Sequence, residues 1–168
     1  MGARGFSEPT GWRDALTGLE GPDAWQQALV AEVARAARYG RPMTAIVLEV
    51  EGVSELDRIV GEELSRGPAE AAARKALRQA ADALRRESRT SDLVFRIGQA
   101  RFGVILTETD EVTAVNYVER VREAMPPRLP GRGEDVRLSF GWASPAKGES
   151  ADVLVRRADH RMIEELLR

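Results

Sequence analysis

The residues of this chain that are best suited to chemistry are arginines and carboxylates. Arginine supplies 23 of the 25 basic residues, and 27 acidic residues bring the formal net charge to −2. A guanidinium group can hold carboxylates, phosphates and guanine edges through paired hydrogen bonds. The chain has no cysteine, which excludes thiolate metal sites and cysteine nucleophiles, and its one histidine excludes metal clusters built from several histidines. Any catalysis would therefore rely on carboxylates, hydroxyls and arginines.

The composition is typical of one ordinary domain. The chain has 168 residues, of which 43% are hydrophobic, enough for a core. No apolar run approaches the roughly 20 residues that span a bilayer, and Met1–Trp12 lacks the apolar core of a signal peptide. The nearly neutral charge argues against a binder of nucleic acid or of a membrane surface. We therefore expect a cytoplasmic protein with a flexible tail at 1–12 and one domain at 13–168.

Hydrophobic patterning predicts the elements that must position these side chains. The apolar, β-branched run Met43–Val50 is typical of a strand covered on both faces. Further strands are expected at 92–97, 101–107 and 136–143, and helices at 22–39, 69–86, 111–125 and from 151 to the end. The strands 92–97 and 101–107 flank Gly98 and form a hairpin by their spacing. This order predicts an α/β sandwich with a central mixed or antiparallel sheet, flanked by helices.

Five segments match sequence motifs of a known family in the order in which that family carries them. They are Asp14-Ala-Leu-Thr-Gly-Leu19; the helix end and turn Arg35–Pro42; Arg89-Thr-Ser-Asp92 followed by Arg96-Ile-Gly-Gln-Ala-Arg-Phe102; Val136–Ala143; and Leu154–Asp159. Together they resemble the GGDEF (diguanylate cyclase) domain over about residues 14–168. The resemblance implies a nucleotidyl-cyclase-like sandwich and a role in bacterial second-messenger signalling.

The signature turn departs from the family pattern. In the family, the G-G-D/E-E-F turn cradles a GTP phosphate, and its acidic residues bind metal and serve catalysis. Here Ala100 and Arg101 stand at the acidic positions, and Glu49 matches the other metal ligand. Phosphodiester formation needs metal to neutralise developing phosphate charge. The resemblance thus implies a non-catalytic domain without metal or cofactor, in which Glu49 is a remnant and Arg101 could pair with Glu49 or Glu51.

Positions that resemble the family's substrate contacts have changed as well. The guanine-reading asparagine is matched by Asp57. The second guanine-reading position falls on Arg74 if the residues between Gly61 and Ala73 form an insertion, and the phosphate-contacting lysine aligns with Leu166. Base, phosphate and metal contacts are each expected to be lost.

The family's second nucleotide site, the inhibitory site for cyclic di-GMP, is matched more closely. Its R-x-x-D core, nine residues before the turn, corresponds to Arg89 and Asp92. An arginine on the following helix corresponds to Arg120, and one that a neighbouring copy supplies in some members corresponds to Arg35. Guanidinium forks and a carboxylate complement the edges of guanine. The resemblance implies a receptor for cyclic di-GMP that signals through a homodimer or a protein partner.

Alternative interpretations remain open. The domain could be an interaction module that binds no nucleotide, with the stretch Gly61–Ala73 as its surface, or it could bind GTP without turnover. Arg89 and Asp92 could also form an ordinary solvated ion pair. We expect His160 on the surface, and Trp12, Trp25 and Trp142 in packing contacts.

Overall fold

The predicted apolar strand forms part of the centre of a four-stranded sheet in the computed structural model, which describes residues 8–53, 66–126 and 137–168. In chain order the elements of these ranges are α1 (Pro22–Tyr39), β1 (Met43–Val50), α2 (Arg66–Glu87), β2 (Leu93–Arg96), β3 (Arg101–Thr107), α3 (Ala114–Ala124), β4 (Leu138–Ala143) and α4 (Ala151–Leu166). The strand order is β2-β3-β1-β4, and every neighbouring pair is antiparallel. The expected sandwich is confirmed, and the sheet is antiparallel.

Alternation along β1 divides the core into two layers. Ile46 and Leu48 pack in the layer formed with α2 and α3. Ala45 and Val47 pack in the layer formed with α1 and α4. All four are fully buried, as expected for a strand whose successive side chains point to opposite faces of a sheet that has helices on both. Among the described helices, none has the length and apolarity needed to cross a membrane.

Two helices begin at residues other than the predicted ones. Helix α2 begins at Arg66 rather than at position 69. Pro68 falls in its first turn, where a proline is tolerated because its missing N–H is not needed. Helix α3 begins at Ala114 rather than at position 111. The carboxylate of Asp110 accepts a hydrogen bond from the Thr113 N–H at 2.7 Å, which closes a turn ahead of the helix.

The three tryptophans do not all pack as expected. Trp12 is 59% exposed, so the prediction of a packing role is wrong for this residue. Trp25 is buried, with its ring edge-on to Phe95 at a centroid distance of 5.4 Å. Trp142 packs partly against the core, and its indole N–H donates to the Glu111 carbonyl at 3.0 Å.

Helix α4 lies directly on β4 at a glycine. A Cβ atom added to Gly141 would lie 1.9 Å from the carbonyl oxygen of Ala158 and 2.4 Å from the amide nitrogen of Met162. Both atoms belong to the backbone of α4, so a side chain at this position would push the helix off the sheet.

The segment before α1 extends the sheet beyond β2. The Arg96 N–H donates to the Glu20 carbonyl at 2.9 Å, and Glu20 forms an isolated parallel bridge with Phe95. A second isolated bridge joins Arg13 to Glu20. The outer edge of β2 is therefore partly covered by the chain that precedes the first helix.

Candidate functional site

The turn between β2 and β3 is held by a buried arginine. Arg96 is 1% exposed and donates from Nη2 to the Gln99 carbonyl at 2.8 Å. From Nη1 it donates to Oδ1 of Asp14 at 2.9 Å. The Val50 N–H donates to the carbonyl of Ala100, which is itself buried, at 2.9 Å. The opening motif at Asp14 and the turn thus belong to one hydrogen-bonded network.

Asp14 is ionised in this network. Its Oδ2 accepts hydrogen bonds from the Thr17 N–H at 2.9 Å and from the Thr17 hydroxyl at 2.6 Å. Burial by itself raises the pKa of Asp14, but the bonds from Thr17 and the charge of Arg96 outweigh burial and hold the pKa below its ordinary value. The motif that begins at Asp14 therefore has a structural role in this fold, because it joins the segment before α1 to the turn between β2 and β3.

The charge-reversed position of the turn pairs with the remaining carboxylate. Arg101 and Glu49 are direct cross-strand partners of β3 and β1, and Arg101 Nε lies 3.2 Å from Glu49 Oε2. Arg101 Nη1 also lies 3.7 Å from Oδ1 of Asp159. Of the two predicted partners, Glu49 is the one that Arg101 contacts. The carboxylate of Glu51 instead accepts a hydrogen bond from the Ser139 hydroxyl.

These residues do not fit a magnesium ion. Mg²⁺ requires several oxygen ligands in octahedral geometry. Ala100 offers no side-chain oxygen, and a cation beside Glu49 would face the Arg101 guanidinium. Within the described ranges, no three histidine, aspartate or glutamate side chains come together as a possible metal site. Burial raises the pKa of the nearby Asp159, an effect that Arg101 partly offsets.

Two of the predicted ligand-binding residues, Arg35 and Arg89, line the same pocket of about 620 Å³. Arg35 comes from α1, and Arg89 from the loop that follows α2. The pocket is also lined by Arg41 and Glu108, which sequence reasoning missed. The register of the sheet could have revealed them, because β1 begins opposite the end of β3 and so brings the residues just outside both strands together.

Among the described residues, two of the three arginines that line the pocket form ion pairs, and the third, Arg89, does not. Arg35 Nη1 lies 3.2 Å from Glu32 Oε1, and Arg41 forms an ion pair with Glu108. Arg89 is exposed, and in the part of the chain that the structure describes its guanidinium has no ion pair. Three arginines against two glutamates give the pocket a net positive charge. Such a pocket favours an anion.

Asp92 closes the loop that presents Arg89. Its Oδ2 accepts a hydrogen bond from the Arg89 N–H at 2.8 Å, and its own N–H donates to the Arg89 carbonyl at 3.0 Å. The predicted pair is therefore a turn joined through the backbone of Arg89, and the Arg89 side chain is not used. Asp92 is not among the residues that line the pocket.

Arg120 lies on α3, outside the lining of the pocket. Its Nε is 3.2 Å from Oε2 of Glu87, and its guanidinium lies over the Tyr117 ring at 5.8 Å from the centroid. Burial raises the pKa of Tyr117; the charges of Asp92 and Glu87 raise it further, while Arg120 opposes them. Of the four predicted residues, Arg35 and Arg89 line the pocket, whereas Asp92 and Arg120 do not.

The remaining predicted positions do not form a substrate site in the described residues. Arg74 pairs with Glu70 one turn earlier on α2, at 3.0 Å. Leu166 ends α4 and is partly exposed. His160 is on the surface, as expected. Asp57 lies outside the described residues.

Comparison with known proteins identifies the family. A family model described as "Diguanylate cyclase, GGDEF domain" matches residues 12–167, so the chain belongs to the GGDEF family. Diguanylate cyclase DosC of Escherichia coli (strain K12) is 29% identical over 111 residues, which are 65% of this chain and 22% of that protein. Diguanylate cyclase DgcP of Pseudomonas aeruginosa is 28% identical over 152 residues, 89% of this chain and 22% of that protein. The chain spans about a fifth of the length of these relatives.

Solved structures share the fold. Diguanylate cyclase SiaD from Pseudomonas aeruginosa, in complex with its activator SiaC, has a TM-score of 0.79 at 25% identity, over 92% of this chain and 58% of that chain. The GGDEF domain of DgcB from Caulobacter crescentus, in complex with c-di-GMP, has a TM-score of 0.79 at 20% identity, over 93% of this chain and 88% of that chain.

Proposed function

We propose that this GGDEF domain is a non-catalytic receptor for cyclic di-GMP. The observation that carries the proposal is the guanidinium of Arg89, which lines a pocket together with Arg35 and has no carboxylate partner among the described residues. At the catalytic turn, in contrast, Arg101 occupies an acidic position of the family and contacts Glu49. The charge arrangement therefore favours an anion at the first site and disfavours a metal at the second.

The chemistry of the ligand suits the pocket. Cyclic di-GMP carries two phosphate charges, which the excess of guanidinium groups attracts. Each guanine offers O6 and N7 to an arginine fork. Asp92 lies outside the lining of the pocket, so its contribution is to hold the backbone of the loop that presents Arg89. A pocket of about 620 Å³ is of the size that takes small molecules.

We expect Arg120 to contribute less to ligand binding than Arg89. Its guanidinium is engaged by Glu87 and by the Tyr117 ring, so binding a guanine would require Arg120 to leave a glutamate at 3.2 Å. We therefore expect the loss of Arg120 to weaken binding less than the loss of Arg89. Arg35 is also paired, with Glu32, but it already lines the pocket.

Isothermal titration calorimetry with cyclic di-GMP and with GTP, in parallel, tests the proposal. We expect binding of cyclic di-GMP and a loss of about tenfold or more in affinity for Arg89→Ala, since a hydrogen bond to a charged group contributes about 1.5–3 kcal/mol. Arg86→Ala is the matched control, because Arg86 is exposed on the same helix end, donates to the Ala124 carbonyl and does not line the pocket. Arg38→Ala serves in the same way for Arg35→Ala.

Each outcome separates the alternatives. Absence of heat with either nucleotide in the wild-type protein would contradict the proposal and favour the module that binds no nucleotide. Binding of GTP alone would favour a GTP-binding regulatory domain. Equal losses in Arg89→Ala and Arg86→Ala would mean that the pocket is not the site. Formation of cyclic di-GMP from GTP and Mg²⁺ by the pure protein would contradict the non-catalytic assignment.

The output of the receptor is part of the same proposal. We place one domain at 13–168 after a tail at 1–12, acting in the cytoplasm because the proposed ligand derives from GTP. Signalling would proceed through a homodimer or a protein partner. The similar SiaD, of which this chain covers 58%, was solved in complex with its activator SiaC, and we include a protein partner in the proposal on that ground.

A further inference from the structure

The outer face of α4 carries an unpartnered stripe of side chains. The opposite face of this helix, with Leu154, Ala158 and Met162, is buried against the sheet. The outward positions recur three and four residues apart, as on one face of a helix. They are Val153, Arg156, His160, Ile163, Glu164 and Leu167, all of them exposed. Leu167 is 80% exposed, which is unusual for a large apolar side chain.

This face is complementary to itself when it is reversed about His160. An antiparallel copy of the helix places Leu167 opposite Val153, so that an apolar residue meets an apolar residue. It places Glu164 opposite Arg156, which pairs opposite charges. A twofold contact brings residue i against j and j against i, so each of these pairs occurs twice.

The same reversal places His160 beside His160 of the second copy and Ile163 opposite Arg157. The two ends of the helix do not pair, because Asp152 and Arg168 lie about 160° apart around the helix. The match is therefore one apolar pair and one charged pair, each of which occurs twice.

The charges of this stripe are available to an outside partner. In the described residues, the guanidinium of Arg156 forms no ion pair within the chain. Within the same residues, the ion-pair partner of the exposed Glu164 is the Nδ1 atom of His160 at 3.7 Å, a pair that needs a protonated histidine.

The arginines beside the stripe are engaged within the chain, in contrast. Arg157 Nη2 lies 2.8 Å from Glu149 Oε1, and Arg161 pairs with Glu111. The side chains that hold α4 to its own domain are thus distinct from those that the outward face leaves free.

We propose that α4 pairs antiparallel with α4 of a second copy of this chain, about a twofold axis at His160. The contact is one helix of 16 residues on each side, about 24 Å long. We expect a contact of this length to bury less than the roughly 1,200–2,000 Å² of a stable specific interface. The dimer is therefore weak, reversible and sensitive to salt. It uses no residue that lines the proposed nucleotide pocket, and it does not depend on nucleotide binding.

Sedimentation equilibrium tests the proposal. The full chain is measured without nucleotide, at low salt and from about 10 μM to 1 mM, the range suited to a small interface. We expect a concentration-dependent dimer in the wild-type protein. Arg156→Glu and Glu164→Arg should each weaken it about tenfold, because each creates two like-charge contacts. An equimolar mixture of these two variants should recover the wild-type affinity, since every cross-pair is then again of opposite charge. The double variant R156E/E164R should recover it as well.

Two controls make the result specific. Arg38→Glu applies the same charge change to an exposed arginine of α1 and should leave the dimer unchanged. Arg89→Ala should also dimerise normally, so the outcome is separate from that of the nucleotide proposal. Circular dichroism establishes that each variant is folded. A wild-type protein that is monomeric throughout would overturn the proposal, and so would single variants that weaken the dimer when neither their mixture nor the double variant restores it.

Discussion

Replacing Asp14 with asparagine should destabilise the fold by about 3 kcal/mol at neutral pH. Asp14 is 5% exposed and its partner Arg96 is 1% exposed, so both charges are removed from water. Removing one partner of a buried ion pair typically costs about 3–5 kcal/mol. The asparagine keeps one acceptor oxygen for the bonds from Arg96 or Thr17, which places the cost at the lower end.

Urea denaturation monitored by tryptophan fluorescence measures this loss. At about 2–4 °C per kcal/mol for a domain of this size, the melting temperature should fall by roughly 10 °C. Asp82→Asn is the matched control. Asp82 is 68% exposed and its carboxylate lies 3.4 Å from Arg85, so its loss should change stability by no more than about 0.5 kcal/mol.

The pH dependence gives a second signature. Because the pKa of Asp14 is lowered in the folded state, the stabilisation is fully present above the ordinary aspartate pKa of about 3.9. It is lost as the pH falls through the lowered folded value. The difference in stability between the wild-type protein and Asp14→Asn should be constant near neutrality and shrink below about pH 4. Equal costs for the two aspartate variants, or a difference that persists unchanged in acid, would refute the reasoning.

Two further predictions concern packing and titration. Gly141→Ala should lower the free energy of unfolding by more than about 3 kcal/mol or prevent folding, because the new Cβ meets backbone atoms of α4 that cannot rotate away. In the same denaturation assay Gly40→Ala, at a left-handed helix cap, should cost only about 1 kcal/mol. Similar costs for the two variants would contradict this prediction. In Tyr39→Phe, which leaves Tyr117 as the remaining tyrosine, phenolate absorbance should not appear near the ordinary tyrosine pKa of about 10 while the protein is folded, since burial raises the pKa of Tyr117.

Much of the fold could be predicted because its core strands and helices have simple patterns. The bounds of α1 and β1 agree with the prediction at both ends. The boundaries that failed depend on side chains that act locally. The turn at Asp110–Thr113 delays α3 through a bond from a carboxylate to a backbone N–H. The spacing of hydrophobic residues does not reveal such a bond. Val112 matches the apolar stripe predicted for α3, and yet it is exposed.

The sequence predicted only part of the candidate site. Arg35 and Arg89 could be proposed from motifs, but their common pocket depends on how the end of α1 meets the far end of the hairpin. Arg41 and Glu108 were missed because 66 residues separate them, and only the antiparallel register of β1 with β3 brings them together. The pairing of Arg101 with Glu49 was foreseen as one of two options, and the same register decides between them.

The cover over β2 also bears on aggregation. An uncovered strand edge offers a row of N–H and C=O groups to any passing chain, which is the common route to edge-to-edge aggregation and domain swapping. Here Glu20 occupies part of that edge, and the Asp14–Arg96 pair fastens the segment that carries it. Detachment of this short segment would open a polymerising surface while most of the core remained folded. The ion pair thus acts as a guard against misassembly as well as a source of stability.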